Sequence, residues 1–454
     1  MPARAGPLRA APAGFTPFAA RPAVYDLWLR AVFAIVLGAM VFNFGLAFVN
    51  TRVMGISESH VMLVEIVLLG TGLVLAVDRR VDLYVVLALF FAYMALIMAL
   101  RPELDLKALR DGLIPICFYF LGRGVRDIRS VDRLVLLCAG IVIAIGAFEY
   151  FLLDTFVSFV NINDYYVARG TISAGDNFHE DSSLFISGIR PEGRNFFPFL
   201  GEHRVSSVFL EPVSTGNFGA FLAMWALFRK DMAGRWALFA AAGIVIVMAD
   251  ARFGMFVTLA VASVVLVYRV VPRVIWWCVP VMIALALVLY GMWTSQLSWQ
   301  DNLGGRWFHA ARLFLKLDLP AVFGVSSYGG FLADNGYAAT LHQFGLIGVL
   351  GLWTAFIFVP VRSWDAWRFR ALVVTYICLL MIVSNSLYSI KTAALLWLCV
   401  GATDVWPGFP AKGKKAARLS PGWQPSDWHP SARQATHPPR ARRQTPSASR
   451  YSAS

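Results

Sequence analysis

Residues 27–49 read LWLRAVFAIVLGAMVFNFGLAFV, a run whose one charge is Arg30. A helix that crosses about 30 Å of hydrocarbon needs roughly 20 predominantly apolar residues, and this run supplies them. Further apolar runs bounded by charge follow at 61–77, 83–100, 108–122, 134–153, 207–228, 236–250, 253–268, 273–293, 337–361, 371–387 and 392–406. They predict about twelve transmembrane helices. Composition agrees: 58% of the 454 residues are hydrophobic and 15% are charged, too apolar a balance for a water-soluble globule of this length. The expected fold is an all-α integral membrane protein.

Arginine and lysine placement orients the spans, because short cytoplasmic loops are the basic ones. Alternate loops carry Arg79 and Arg80; Arg123, Arg126, Arg129 and Arg133; Arg229, Lys230 and Arg235; Arg269 and Arg273; and Arg362, Arg368 and Arg370. These loops and both tails are assigned to the cytoplasm. The opposite face receives the short links near 50–60, 101–107, 250–252 and 388–391, and two long segments, 154–206 and 294–336.

The expected order is therefore a disordered cytoplasmic tail over 1–26, spans one to five over 27–153, and an extracytoplasmic loop over 154–206. Spans six to nine follow over 207–293, then a second exterior loop with an amphipathic helix over 294–336. Spans ten to twelve occupy 337–406, and a disordered basic tail covers 407–454. The net charge of +13 resides largely in cytoplasmic loops and tail, so it reads as topology and attraction to anionic lipid, with no nucleic-acid partner.

The five cysteines all fall inside predicted spans and behave as small apolar residues. Neither a metal-site spacing nor a Walker loop, a dinucleotide fingerprint or an H-E-x-x-H motif is present. No cofactor and no metal are expected.

Informative residues gather on the assigned exterior face. RVSSVFLEPVSTGNFGAFLA, residues 204–223, carries Arg204 and places Glu211 before Pro212 at the mouth of a span. A carboxylate there is costly unless paired, and a Pro-kinked entry with a headgroup-level salt bridge is the alternative to a functional role. ADARFGMFV, 249–257, puts Asp250 and Arg252 in a short turn. In NLGGRWFHAARLFLKLDLP, 302–320, Arg306, His309, Arg312 and Lys316 recur at helical spacing opposite Trp307, Phe308, Ala311, Phe314 and Leu315. That stripe describes a cationic amphipathic helix at the membrane surface, serving as a lipid anchor or as part of a site. Finally, VFGVSSYGGFLADNGYAATLHQFGLIGVLGLW, 322–353, sets Asp334 and Asn335 ahead of a span containing His342.

In order, a long exterior loop ending in Arg, an E-P helix, an A-R turn, a G-R-W segment, then G-G-F, D-N-x-Y and G-L-I-G resemble the O-antigen polymerase and O-antigen ligase superfamily over roughly 200–353. The resemblance implies a metal-independent, GT-C-like glycosyltransferase of the bacterial inner membrane, acting on undecaprenyl-diphosphate-linked glycans at the outer face. By matching position it implies that Arg204, Arg252 and Arg306 hold the donor diphosphate, while Asp334 or Glu211 binds or deprotonates the acceptor hydroxyl; the candidate catalytic groups are Arg306, Asp334 and Glu211, and the candidate substrate-binding ones are Arg204, Arg252, Asn335, Arg312 and His309. The ligase branch typically carries His-Asn where this chain has Asp334-Asn335, a departure that favours the polymerase branch. A flippase and a chain-length regulator of the same pathway are expected partners, besides membrane lipid. A polysaccharide flippase or transporter and a non-catalytic scaffold remain the alternatives from other classes.

The orientation is testable with cysteines introduced singly. Replacements of Glu180, Ala310 and Asn335 should react with an impermeant thiol reagent from outside, and replacements of Ile128 and Met232 should not. Reaction at 128 from outside would reverse the assignment.

Overall fold

The computed structural model describes residues 22–77, 81–173, 182–190, 195–294, 303–326, 332 and 334–409. The expectations for 1–21 and for 410–454 lie outside these residues. The chain divides into Met1–Gly408, which contains every helix named below, and Phe409–Ser454. Among the described residues all regular structure is helical, apart from one antiparallel bridge between Ile189 and His203.

In chain order the helices are α1 (Pro22–Arg52), α2 (Glu58–Ala76), α3 (Val81–Leu100), α4 (Leu106–Gly124), α5 (Ile128–Phe151), α6 (Leu153–Phe159), α7 (Ile162–Ala168), α8 (Pro212–Phe228), α9 (Arg235–Met248) and α10 (Arg252–Val267). There follow α11 (Arg273–Trp293), α12 (Leu303–Leu315), α13 (Leu319–Val322), α14 (Gly336–Phe358), α15 (Trp364–Leu380) and α16 (Ile390–Asp404). A helix occupies each of the twelve apolar runs. Six of them, α1, α2, α3, α5, α11 and α14, are long and apolar enough to cross a membrane.

Two kinds of helix make up the bundle. α4, α8, α15 and α16 bury most of their residues on every side, α16 most completely. Such helices form the centre of a bundle. α2, α3, α10 and α11 expose apolar side chains instead, among them Leu63, Val74, Leu89, Leu259 and Leu285. So extensive an apolar exterior fits a multi-pass membrane protein and would be a liability in water.

Small residues let the central helices touch. A Cβ on Gly401 would lie 1.9 Å from the Tyr119 carbonyl oxygen, and one on Gly122 would lie 2.1 Å from that of Leu398, so α4 and α16 meet backbone to backbone. Close approach through small residues is how helices associate where lipid removes the hydrophobic drive. Buried ion pairs add to it: Asp132 of α5 holds Arg229 at 2.8 Å and accepts the Trp225 indole N–H at 2.9 Å, and Asp404 pairs with Arg370.

Several expectations need correction. α15 begins at Trp364, ahead of the expected span, so Arg368 and Arg370 are buried helix residues rather than loop residues. Their guanidinium groups reach the Phe228 carbonyl and Asp404, which is why apolar surroundings tolerate them. Segment 154–206 is not merely a loop, since it forms α6 and α7. α14 is broken at Gly345, where φ is +63°. The carbonyls freed there are taken by Tyr93, whose hydroxyl donates to Phe344 O at 2.6 Å, and by Arg101, which donates to Gln343 O at 2.8 Å and to His342 O. Ala310 and Asn335 are fully buried, so Arg312 and Asp334, both exposed, are the proper labelling positions on that face.

The backbone contact between α4 and α16 predicts that Gly401→Val prevents accumulation of folded protein. Gly243→Val in α9, where a Cβ meets nothing within 4 Å, should leave it unchanged. Size-exclusion profiles of the detergent-extracted variants check both; a normal profile for Gly401→Val would contradict the packing.

Candidate functional site

The stretch before α8 is bent by strain. Ser207 and Leu210 have φ of 48° and 61°, a left-handed conformation unusual outside glycine. Glu149, fully buried near the end of α5, holds it there. Its carboxylate accepts the backbone N–H of Ser206 at 2.9 Å and of Ser207 at 2.6 Å, and lies 3.1 Å from His203 Nε2. The bend delivers Glu211 to the N-cap position of α8, with Pro212 at the first helical position, so the proline starts the helix and no kink follows.

Glu211 is held by three donors. Tyr166 of α7 donates to Oε1 at 2.7 Å, Ser214 donates to Oε2 at 2.7 Å, and Lys391 Nζ of α16 lies 3.0 Å from Oε1. Burial, reinforced by this carboxylate, pushes the Tyr166 hydroxyl well above its ordinary range, so it acts as a donor. Lys391 also donates to Phe209 O at 3.0 Å. The Glu211 side chain keeps 28% of its surface exposed.

One turn along α8, Val213 and Asn217 line a cavity of about 150 Å³, together with Arg190, Arg204, Arg252 and Arg306. Each arginine is placed by a different element. Arg190 pairs with Asp250, whose other oxygen accepts the N–H groups of Phe196 at 3.0 Å and Phe197 at 3.2 Å. Arg204 is buried and donates to Ala249 O at 3.0 Å and Ser187 O at 2.9 Å. Arg252 begins α10, whose N-cap Ala251 offers no side-chain cap, and its Nε is buried without a hydrogen-bond partner among the described residues. Arg306 comes from the first turns of α12.

Arg204, Arg252 and Arg306 are thus brought together, and Glu211 caps the helix that supplies Val213 and Asn217 to the same cavity. The other sequence-selected residues run along α12 and α14 and are not among the described lining residues. Arg312 is exposed and lies over the Phe308 ring at 5.7 Å, and His309 faces Asp334 at 3.8 Å, both partly exposed. Asn335 caps α14, accepting Ala338 N–H at 3.1 Å, and ties α12 by donating to Ala310 O at 2.6 Å. α12 is amphipathic as expected, but Phe308, Ala310, Ala311 and Leu313 are buried and it packs on α11 and α14 rather than lying on lipid alone.

Lys391, Glu149, Asn217 and Arg190 complete the arrangement. The first three are polar residues within or at the edge of apolar spans, a signal of function or pairing that was available in the sequence. A further buried group, Glu65 and Asp111 around Arg110 with Gln343 Nε2 3.0 Å from Asp111, sits among α2, α4 and α14.

No family model matches the chain, and comparison with curated proteins and with solved structures finds no match.

Lys391→Met removes the charged donor from Glu211. A hydrogen bond to a charged group contributes about 1.5–3 kcal/mol, so the thermal midpoint of the detergent-solubilised protein should fall and should largely recover in the Glu211→Gln/Lys391→Met double variant. An unchanged midpoint for Lys391→Met would contradict the pairing.

Proposed function

We propose that this chain is a membrane glycosyltransferase that polymerises undecaprenyl-diphosphate-linked oligosaccharide repeat units at the outer face of a bacterial inner membrane, without metal and with inversion. It would cross the membrane about twelve times, with both termini in the cytoplasm. The observation that carries the reading is the arginine-lined cavity walled in part by Val213 and Asn217 of α8, the helix that Glu211 caps. The ordered motifs from Arg204 to Gly348, which resemble the O-antigen polymerase and ligase superfamily, supply the substrate class.

The chemistry asks for this pairing. A sugar hydroxyl attacks the anomeric carbon of the donor, the carbon–oxygen bond to the diphosphate breaks, and undecaprenyl diphosphate leaves with the electron pair. Negative charge grows on the leaving oxygen, so preorganised cations lower the barrier there. Arg252 and Arg306, without ion-pair partners among the described residues, are the groups to supply them, and Arg204 and Arg190 frame the cavity. The hydroxyl proton passes to a carboxylate. Glu211 is the better base than Asp334, because it caps α8, the helix that supplies Val213 and Asn217 to the cavity, and is oriented by three donors. Asp334 is half exposed and faces His309 instead.

In a strain lacking the gene, exported glycan should stop at single repeats, whereas loss of a ligase leaves polymer unattached. Arg306→Ala should abolish polymer while the protein still accumulates, and Arg306→Lys should rescue it poorly, because lysine keeps the charge but loses the planar fork. Loss of one such group at a developing charge costs about 2.7–4 kcal/mol, or on the order of a hundredfold to a thousandfold in rate. Normal chain length in Arg306→Ala would refute the role.

A further inference from the structure

We infer that the cations gathered about Lys230, where α8 and α10 end and α9, α11 and α15 begin, form a binding site for the headgroup of one anionic phospholipid. This is the end of the bundle assigned to the cytoplasm. Arg252 and Arg269 stand at opposite ends of α10, so the site is separate from the arginine cavity, and it does not depend on the glycosyltransferase reading.

Lys230 follows the last turn of α8 and is exposed. Desolvation, and then the charges of Arg368, Arg235 and Arg269, hold its ammonium below the ordinary range, against the pull of Asp365. Arg269 and Arg368, remote from it in sequence, thus bring like charge to one lysine. The guanidinium groups are fixed by the protein. Arg235 Nε donates to Ala226 O at 2.9 Å, Arg269 Nε donates to the Tyr268 hydroxyl at 2.8 Å, and Arg368 donates to Phe228 O at 2.5 Å. A further guanidinium, that of Arg273, lies 4.6 Å from the centre of the Trp367 ring, next to Arg368.

The carboxylates at this end do not balance these charges. Asp132 and Asp231 engage Arg229, Asp404 engages Arg370, and Asp365 lies 3.8 Å from Arg368. Lys230, Arg235, Arg269 and Arg273 have no ion-pair partner among the described residues. Like charges held together in this way are relieved by an anion from outside the chain.

The surroundings select a lipid as the source of that anion. Leu266 and Val270 stand beside Arg269, Val274 and Ile275 follow Arg273, and all four are exposed. α11 buries only Trp276 and Leu287, so an acyl chain has an apolar wall directly next to the cations. Trp236 and Trp364, both exposed, mark the level of the headgroups, where tryptophan concentrates. Dissolved phosphate would use the charges alone. A phospholipid uses the charges and the wall together, as in other basic clusters between membrane helices.

The test is native mass spectrometry of the full-length protein in detergent, with phosphatidylglycerol, phosphatidylcholine and inorganic phosphate as probes. Wild type should retain phosphatidylglycerol in preference to phosphatidylcholine. Lys230→Gln/Arg269→Gln removes two exposed charges and should weaken phosphatidylglycerol about thirtyfold, roughly a factor of five for each cation. Arg30→Gln/Arg129→Gln removes two exposed charges from α1 and α5 and should bind as wild type does. If the first double variant does not accumulate, Arg269→Gln alone decides, with a loss of about fivefold. Equal weakening in both double variants would show only the diffuse attraction of a basic surface and overturn the site. Equal retention of the two lipids, or displacement of phosphatidylglycerol by equimolar inorganic phosphate, would overturn it as well.

Discussion

Mutual repulsion among four guanidinium groups around one small cavity is the constraint on which the rest of this structure turns. In surroundings less polarisable than water, like charges that share one cavity oppose one another more strongly than in solvent. The fold reduces that cost by treating the four unequally. Asp250 neutralises Arg190, and the carbonyls of Ala249 and Ser187 engage Arg204. Arg252 and Arg306 have no ion-pair partner among the described residues. The left-handed backbone at Asp250, with φ of 42°, and the tight crossing of α8 and α10 at Gly216 and Gly254 flank the same cavity.

The carboxylate side of the site shows the same logic with the opposite sign. Glu149 and Glu211 sit at the two ends of one strained segment, and each is surrounded by donors. Glu149 spends its oxygens on backbone N–H groups and so fixes the bend. Glu211 spends its own on side chains from α7, α8 and α16 and retains an exposed edge. Residues far apart in sequence, Tyr166 and Lys391, therefore meet on one carboxylate. Ion pairing of this kind lets a charged group persist at the mouth of an apolar helix.

Much of the fold was legible because apolar length is written locally: every run of suitable length became a helix. What sequence could not supply was the partner of each charge. Arg368 and Arg370 look like loop cations by the rule of basic cytoplasmic loops, yet Asp404 and the Phe228 carbonyl let α15 start early and bury them. The periodic stripe on α12 was correct as a pattern. Its outcome was set by tertiary contacts, which turned Arg306 to the cavity and left Arg312 over Phe308. Asn335 resembled a binding residue and serves as a helix cap. Lys391 falls in the short link at 388–391 and Asn217 inside the run 207–228, and only the folded chain shows what they meet.

The central claim is that the arginine cavity and Glu211 together transfer a glycan from a lipid diphosphate. The most direct measurement is incubation of the purified full-length protein in lipid nanodiscs with a synthetic undecaprenyl-diphosphate-linked repeat unit and no added metal, resolving products by chain length. The account predicts lipid-linked chains of two or more repeats, with one undecaprenyl diphosphate released for each linkage formed. Substrate recovered unchanged with protein shown to be folded, or released diphosphate without longer chains, would contradict it.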